Sequence, residues 1–190
     1  MLDANHYHSC GIHPWFIADS GEMQLQKLDS LLQNEKCIAV GECGLDTLRG
    51  PSLEIQSNVF LQQIELANKY AKPLIIHNVR STDAIINCLQ KSKCKVPVIF
   101  HGFNLKPQTA DRLIELGYFL SFGAAILSPQ SAAAASLTIC PIEQLFLETD
   151  DAEVAIESVY EQACILRKAN LADLQQQLLQ NFTRIFAAQV

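Results

Sequence analysis

The chain has 190 residues, 49% hydrophobic and 18% charged, enough to bury a substantial core and unlike a disordered or low-complexity segment. Its formal net charge of −6 excludes a general electrostatic grip on nucleic acid through a basic face, although bound divalent cations reverse the sign of a local site. No run approaches a membrane span and no apolar signal segment follows Met1, so the expectation is a soluble, cytoplasmic protein without membrane contact.

Seven cysteines (Cys10, Cys37, Cys43, Cys88, Cys94, Cys140 and Cys164) are scattered, odd in number and lack a Cys-x-x-Cys pair. They read as buried free thiols of a reducing compartment. Residues 6–12 read as a strand ending at Gly11-Ile12-His13-Pro14, followed by a helix over about 21–34 with Leu25, Leu28, Leu31 and Leu32 on one face. A strand at 37–42 precedes a long amphipathic helix near 53–71 built on Phe60, Ile64 and Ala67. A strand at 73–77 leads to a helix at 82–91, with Asp83 early in the first turn, where the helix dipole favours an acid.

The second half repeats the rhythm. Strand 97–101 precedes a helix at 107–116 that starts after Pro107 and stops at Gly117. Strand 118–122 runs into the Ala-rich stretch 132–135, read as a short helix, and strand 145–149 is followed by helices near 153–168 and 171–188, punctuated by Asn170. With no linker, repeat or composition break, the expectation is one domain over 1–190. Six strands alternating with helices imply an α/β fold with a parallel sheet, and the absence of a Gly-rich phosphate loop disfavours a doubly wound sheet. A TIM-type (β/α) barrel fits better, although a closed one has eight strands and about 250 residues.

Four apolar runs end in a metal-ligand type: Ile38-Ala39-Val40-Gly41-Glu42, Leu74-Ile75-Ile76-His77, Val98-Ile99-Phe100-His101 and Phe146-Leu147-Glu148-Thr149-Asp150. Singly, Glu42 reads as a cap or loop charge, each histidine as a satisfied buried group, and Asp150 as a helix N-cap. Jointly they set one Glu, two His and one Asp at carboxyl ends of strands, where parallel βα folds keep their chemistry, and that set suits a hydrolytic metal site. No serine elbow or Cys–His nucleophile pattern competes.

These segments, with Gly11-Ile12-His13-Pro14, Gly41-Glu42-Cys43-Gly44-Leu45-Asp46, His101-Gly102-Phe103 and the closing Asn181-Phe182-Thr183-Arg184-Ile185-Phe186, resemble the ordered motifs of the TatD-type metal-dependent deoxyribonucleases. The resemblance covers essentially the whole chain. It implies a TIM-barrel metallohydrolase acting on phosphodiester bonds, with DNA or short nucleic-acid ends as substrate. It further implies two divalent ions bridged by Glu42, one also held by His77 and His101, the other by Asp150 and a His-x-His pair on a first strand. Asp150 doubles as the acceptor of the water's proton, and His13 and Arg80 are the expected substrate contacts. These ligands suit zinc, manganese and magnesium to different degrees, and the sequence does not distinguish among them.

The pattern also departs from the family. The His-x-His pair belongs well upstream of the Gly-x-His-Pro motif; His6-Tyr7-His8 has its spelling but stands inside the strand just before Gly11. The first two barrel strands are therefore expected to be missing, with activity impaired and exposed barrel edges prone to self-association. Arg80 lies three residues beyond His77 rather than two, Asp151 replaces a small residue, and Asn104 replaces a serine. A small-molecule amidohydrolase and a non-catalytic remnant are the alternatives, because fold and ligands alone do not choose the leaving group.

Overall fold

The structure, a computed structural model, describes residues 6–186. The described residues divide into two compact units, one formed by residues 6–98 with Phe186 and the other by residues 99–185.

In the first unit, β1 (His8–Cys10), β2 (Cys37–Asp46) and β3 (Leu74–Val79) pair side by side, all parallel. The connecting helices α1 (Glu22–Leu31), α2 (Leu53–Tyr70) and α3 (Thr82–Lys91) carry the apolar stripes expected of crossovers. Strand β2 is buried along nearly its whole length, as parallel strands covered on both faces must be. Phe60 and Ile64 of α2, Leu45 of β2, Leu74 and Ile76 of β3, and Ile85 and Leu89 of α3 are fully buried and form the core. Helix α2 starts on a Ser52 side-chain cap to the Ile55 amide and ends on Ala71 in the left-handed conformation.

Lys69 Nζ meets Asp29 Oδ1 at 2.7 Å, and the Tyr70 hydroxyl donates to the same oxygen at 2.9 Å, tying α2 to α1. The hydrogen bonds from Lys69 and then Tyr70 hold the Asp29 carboxyl below its ordinary value. A depressed folded-state pKa stabilises the fold above the ordinary carboxylate pKa of about 3.9, and that contribution disappears as pH falls through the lower folded value. Asp29→Asn is therefore expected to melt slightly below the wild type at pH 6, the two curves converging under strong acid. Melting temperatures across an acid titration check the convergence.

In the second unit, β4 (Val98–Phe100), β5 (Phe119–Phe122) and β6 (Leu145–Leu147) are again consecutive parallel neighbours, with Ile99 opposite Phe119 and Leu120 opposite Leu145. Helices α4 (Pro107–Glu115), α5 (Ala132–Ile139), α6 (Ile156–Arg167) and α7 (Leu171–Phe186) complete it. Phe100, Leu113, Leu120 and Phe122 fill its core. Pro107 sits at the start of α4, where its missing N–H costs nothing, and Gly117 follows the helix at φ 80°. The Ala-rich stretch is helical over eight residues, twice the expected four, and the last two expected residues of α7, 187 and 188, lie outside the described residues.

Within each unit the strands follow one another in sequence order without the reversal that marks a doubly wound sheet. The fold is α/β, built from the parallel βα units of a TIM-type barrel, with six strands among the described residues. Among those residues no helix is long and apolar enough to cross a membrane.

Candidate active site

Strand β2 runs four residues further than its hydrophobic run suggests, to Asp46, and carries a bulge. Val40 faces Leu74 and Cys43 faces Ile76, so Gly41 and Glu42 together oppose Ile75. A bulge of this kind bends the strand and re-aims one side chain, here Glu42. Beyond it the ladder resumes with Gly44 opposite His77 and Leu45 opposite Asn78.

Glu42 and His77 meet a third group, His13. The donor atoms of His13, Glu42 and His77 all lie within 4.8 Å of one another, with His13 Nε2 3.7 Å from Glu42 Oε2. An ion bound at roughly 2.0–2.3 Å by each donor holds two donors no more than about 4.5 Å apart, so small side-chain adjustments close this trio on a cation. One carboxylate with two imidazoles is a donor set that fits zinc or manganese. His13 thus stands beside Glu42 and His77, where it can meet either a bound cation or the substrate that cation holds.

Neighbouring groups fix these side chains. The His13 ring accepts from the Trp15 amide at 3.2 Å, and its centroid lies 4.4 Å from that of His77 and 4.8 Å from that of Trp15. His77 Nε2 lies 3.3 Å from Asp46 Oδ2, an oxygen that also accepts from Trp15 Nε1 at 2.5 Å. The other Asp46 oxygen accepts from the amides of Leu48 (2.7 Å) and Arg49 (3.1 Å). Burial works to raise the Asp46 carboxyl, but the hydrogen bonds from Trp15, Leu48, His77 and Arg49 outweigh it and hold the group below its ordinary value. Asp46 is therefore a buried anion that orients one face of His77, as carboxylate partners orient metal-ligating imidazoles.

Asp46 is itself held by Gln56 of α2. Gln56 Oε1 accepts from the Asp46 amide at 2.8 Å, and its Nε2 donates to the carbonyls of Asp46, Arg49 and Pro51. Gln63, two turns on, brackets Ile12 in the same manner, accepting from its amide at 2.7 Å and donating to its carbonyl at 3.1 Å, and so anchors the chain just before His13. Both glutamines are 1% exposed. Gln56→Leu leaves the Asp46 amide and carbonyl unpaired in the interior, and is expected to cost about 3 kcal/mol in urea denaturation.

In the second unit, His101 follows β4 and Glu148 follows β6. Glu148 Oε1 accepts from the Gly102 amide at 2.6 Å and lies 3.5 Å from His101 Nδ1, while the Ser121 hydroxyl donates to Oε2. Contact at Nδ1 favours the tautomer whose Nε2 lone pair can bind a cation. The donor atoms of His101 and Asp150 lie within 4.8 Å of each other. Asp150 is exposed at φ 49°, and α6 starts six residues later behind Ala155, so Asp150 is not that helix's cap.

Arg80 is exposed one residue beyond β3, at φ 51°. His8 pairs in register with Cys37 at the amino ends of β1 and β2, the opposite strand ends from Glu42, and His6 precedes β1. The spelling His6-Tyr7-His8 accordingly does not stand in for a His-x-His pair at the carboxyl ends. Sequence reasoning assigned no role to Asp46, Glu148 or Trp15. Two-residue periodicity held the signal: Asp46 is four residues beyond Glu42, and Glu148 two before Asp150.

A family model described as TatD related DNase matches residues 2–187. The chain is 28% identical over 197 residues to the uncharacterized metal-dependent hydrolase YjjV of Escherichia coli (strain K12), an alignment covering 95% of this chain and 76% of the relative. It is 31% identical over 147 residues to the uncharacterized metal-dependent hydrolase YabD of Bacillus subtilis (strain 168), covering 76% of this chain and 58% of the relative. The crystal structure of Escherichia coli YjjV, a TatD homolog, aligns with a TM-score of 0.87 at 29% identity, over 95% of this chain and 76% of that one. An uncharacterized amidohydrolase from Saccharomyces cerevisiae aligns at a TM-score of 0.80 over 95% of this chain and 80% of that one, but at 16% identity it shares the fold alone. By family match, motif order and fold, the chain belongs to the TatD related DNase family of metal-dependent hydrolases.

Proposed function

We propose that this chain hydrolyses phosphodiester bonds at DNA ends with divalent metal ions, Glu42, His77, His101 and Asp150 serving as ligands. The observation that carries the reading is the closure of His13, Glu42 and His77 to within 4.8 Å at the carboxyl ends of β2 and β3. A bound divalent ion supplies a water of lowered pKa and neutralises phosphate charge. Asp150 accepts the water's proton, while Asp46 and Glu148 keep the His77 and His101 rings oriented. His13 and Arg80 approach the phosphate.

One further feature favours nucleic acid over a small amide. Phe16 is 70% exposed and Trp15 37%, beside the His13 ring, and Arg49 lies 4.5 Å over the Trp15 ring. Exposed aromatic faces with a stacked guanidinium are platforms for unpaired bases.

End-labelled single-stranded DNA is the primary test, run against a phosphodiester and an amide panel with zinc, manganese or magnesium. Metal-dependent release of nucleotides is expected. Turnover confined to amides would transfer the assignment to amidohydrolysis, and no metal-stimulated turnover on any substrate would make the chain a non-catalytic member.

A further inference from the structure

A second cluster of metal-binding side chains lies along β1 and at the start of β2. His8 opens β1, Cys10 closes it, and Cys37 opens β2 in register with His8. Their imidazole nitrogen and two sulfurs all lie within 4.8 Å of one another. Cys37 stands five residues before Glu42, about 15 Å along the strand, and the two clusters share no residue.

Two explanations for a close thiol pair are a disulfide and a cation. Cys10 is opposite Val40, three residues beyond Cys37 with one of them in a bulge. With strands about 4.8 Å apart and a rise of about 3.3 Å per residue, that offset puts the two Cα atoms beyond the roughly 4.4–6.8 Å a disulfide requires. A cation has no such requirement, because it bridges sulfurs about 3.8 Å apart without bonding them. Two thiolates and an imidazole select a thiophilic ion of the zinc type over magnesium or calcium.

Lys72 lies close to this cluster. Its ammonium is buried at 4% exposure and donates to the carbonyls of Leu32, Asn34 and Cys37, with no carboxylate among those partners. Its positive charge favours the thiolate form of Cys10, the form that binds a metal, although it does not itself point to an ion. Without an ion, burial and then the Cys37 thiol push the Cys10 thiol up to about 11, so it stays protonated.

We propose that His8, Cys10 and Cys37 form a second metal site, taking zinc or a similar thiophilic divalent cation. Binding breaks two S–H bonds and forms two metal–sulfur bonds and one metal–nitrogen bond, the two protons leaving to solvent. A fourth position remains for water.

Cobalt(II) tests this apart from hydrolysis, because the ligands proposed for catalysis contain no sulfur. Titration of the reduced, full-length chain should raise an intense near-ultraviolet sulfur-to-cobalt charge-transfer band. Cys10→Ser should abolish the band with far-ultraviolet circular dichroism unchanged, and Cys164→Ser should keep it. His8→Ala, at a half-buried position, should weaken cobalt affinity at least about tenfold. A folded wild type that binds cobalt with ligand-field bands alone, or a band that survives both Cys10→Ser and His8→Ala, would overturn the proposal.

Discussion

Glu42→Gln is expected to lower metal-stimulated hydrolysis by at least about a hundredfold while leaving the fold intact. Loss of an outer-shell partner alone typically costs about 10–100-fold in metal affinity or activity, and Glu42 is proposed as a ligand rather than a partner. The substitution keeps the size of the side chain and removes its charge, so the bulge at Gly41-Glu42 and the packing of β2 have no reason to change. Glu42 is also half-buried, which makes a large stability loss unexpected. Initial rates on labelled DNA, set beside urea denaturation of both proteins, separate the effects. A variant with wild-type rate would remove Glu42 from the chemistry; a variant that loses both rate and stability would place it in the framework.

Gly44→Ala carries the largest stability effect. Gly44 has φ +134°, a region closed to side chains, and an added Cβ would drive into the His77 carbonyl oxygen, with the His77 carbonyl carbon at 3.1 Å and its amide nitrogen at 3.2 Å. Every atom in the way is backbone of β3, so no rotamer change relieves the contact. The β2–β3 ladder must open where Cys43, Gly44 and Leu45 pair with Ile76, His77 and Asn78. A loss of about 4 kcal/mol or more follows, against a total stability of roughly 5–15 kcal/mol for a domain. Gly117→Ala is the matched control: its φ is +80°, but nothing lies within 4 Å of the added methyl, so only the left-handed strain of about 1–2 kcal/mol applies. Similar denaturation midpoints for the two variants would mean that β2 and β3 do not approach as described.

Hydrophobic periodicity alone was sufficient for the strand–helix order, because burying one face of each element imposes a period of two or 3.6 wherever the element lies. It was insufficient at boundaries. Strand β2 continues from Glu42 to Asp46 because Gly44 lets the backbones close and Leu45 is buried, neither of which is a property of the local run. The same limit concealed Gln56 and Gln63. They occupy the apolar stripe of α2 with Phe60, Ile64 and Ala67, where polar side chains look like errors until the backbone groups they satisfy are known.

By itself the sequence determined the α/β class, the ordered motifs and the ligand types that end the strands, since these depend on composition and local spacing. Only the tertiary structure decided that His13 joins Glu42 and His77, that Asp46 and Glu148 face the His77 and His101 rings, and that His8 gathers with Cys10 and Cys37 along β1 and the start of β2. Those associations depend on strand register and a bulge, which shift side chains by ångströms over which hydrogen bonds and metal coordination are made or lost. Hydrophobic pattern carries no information at that scale.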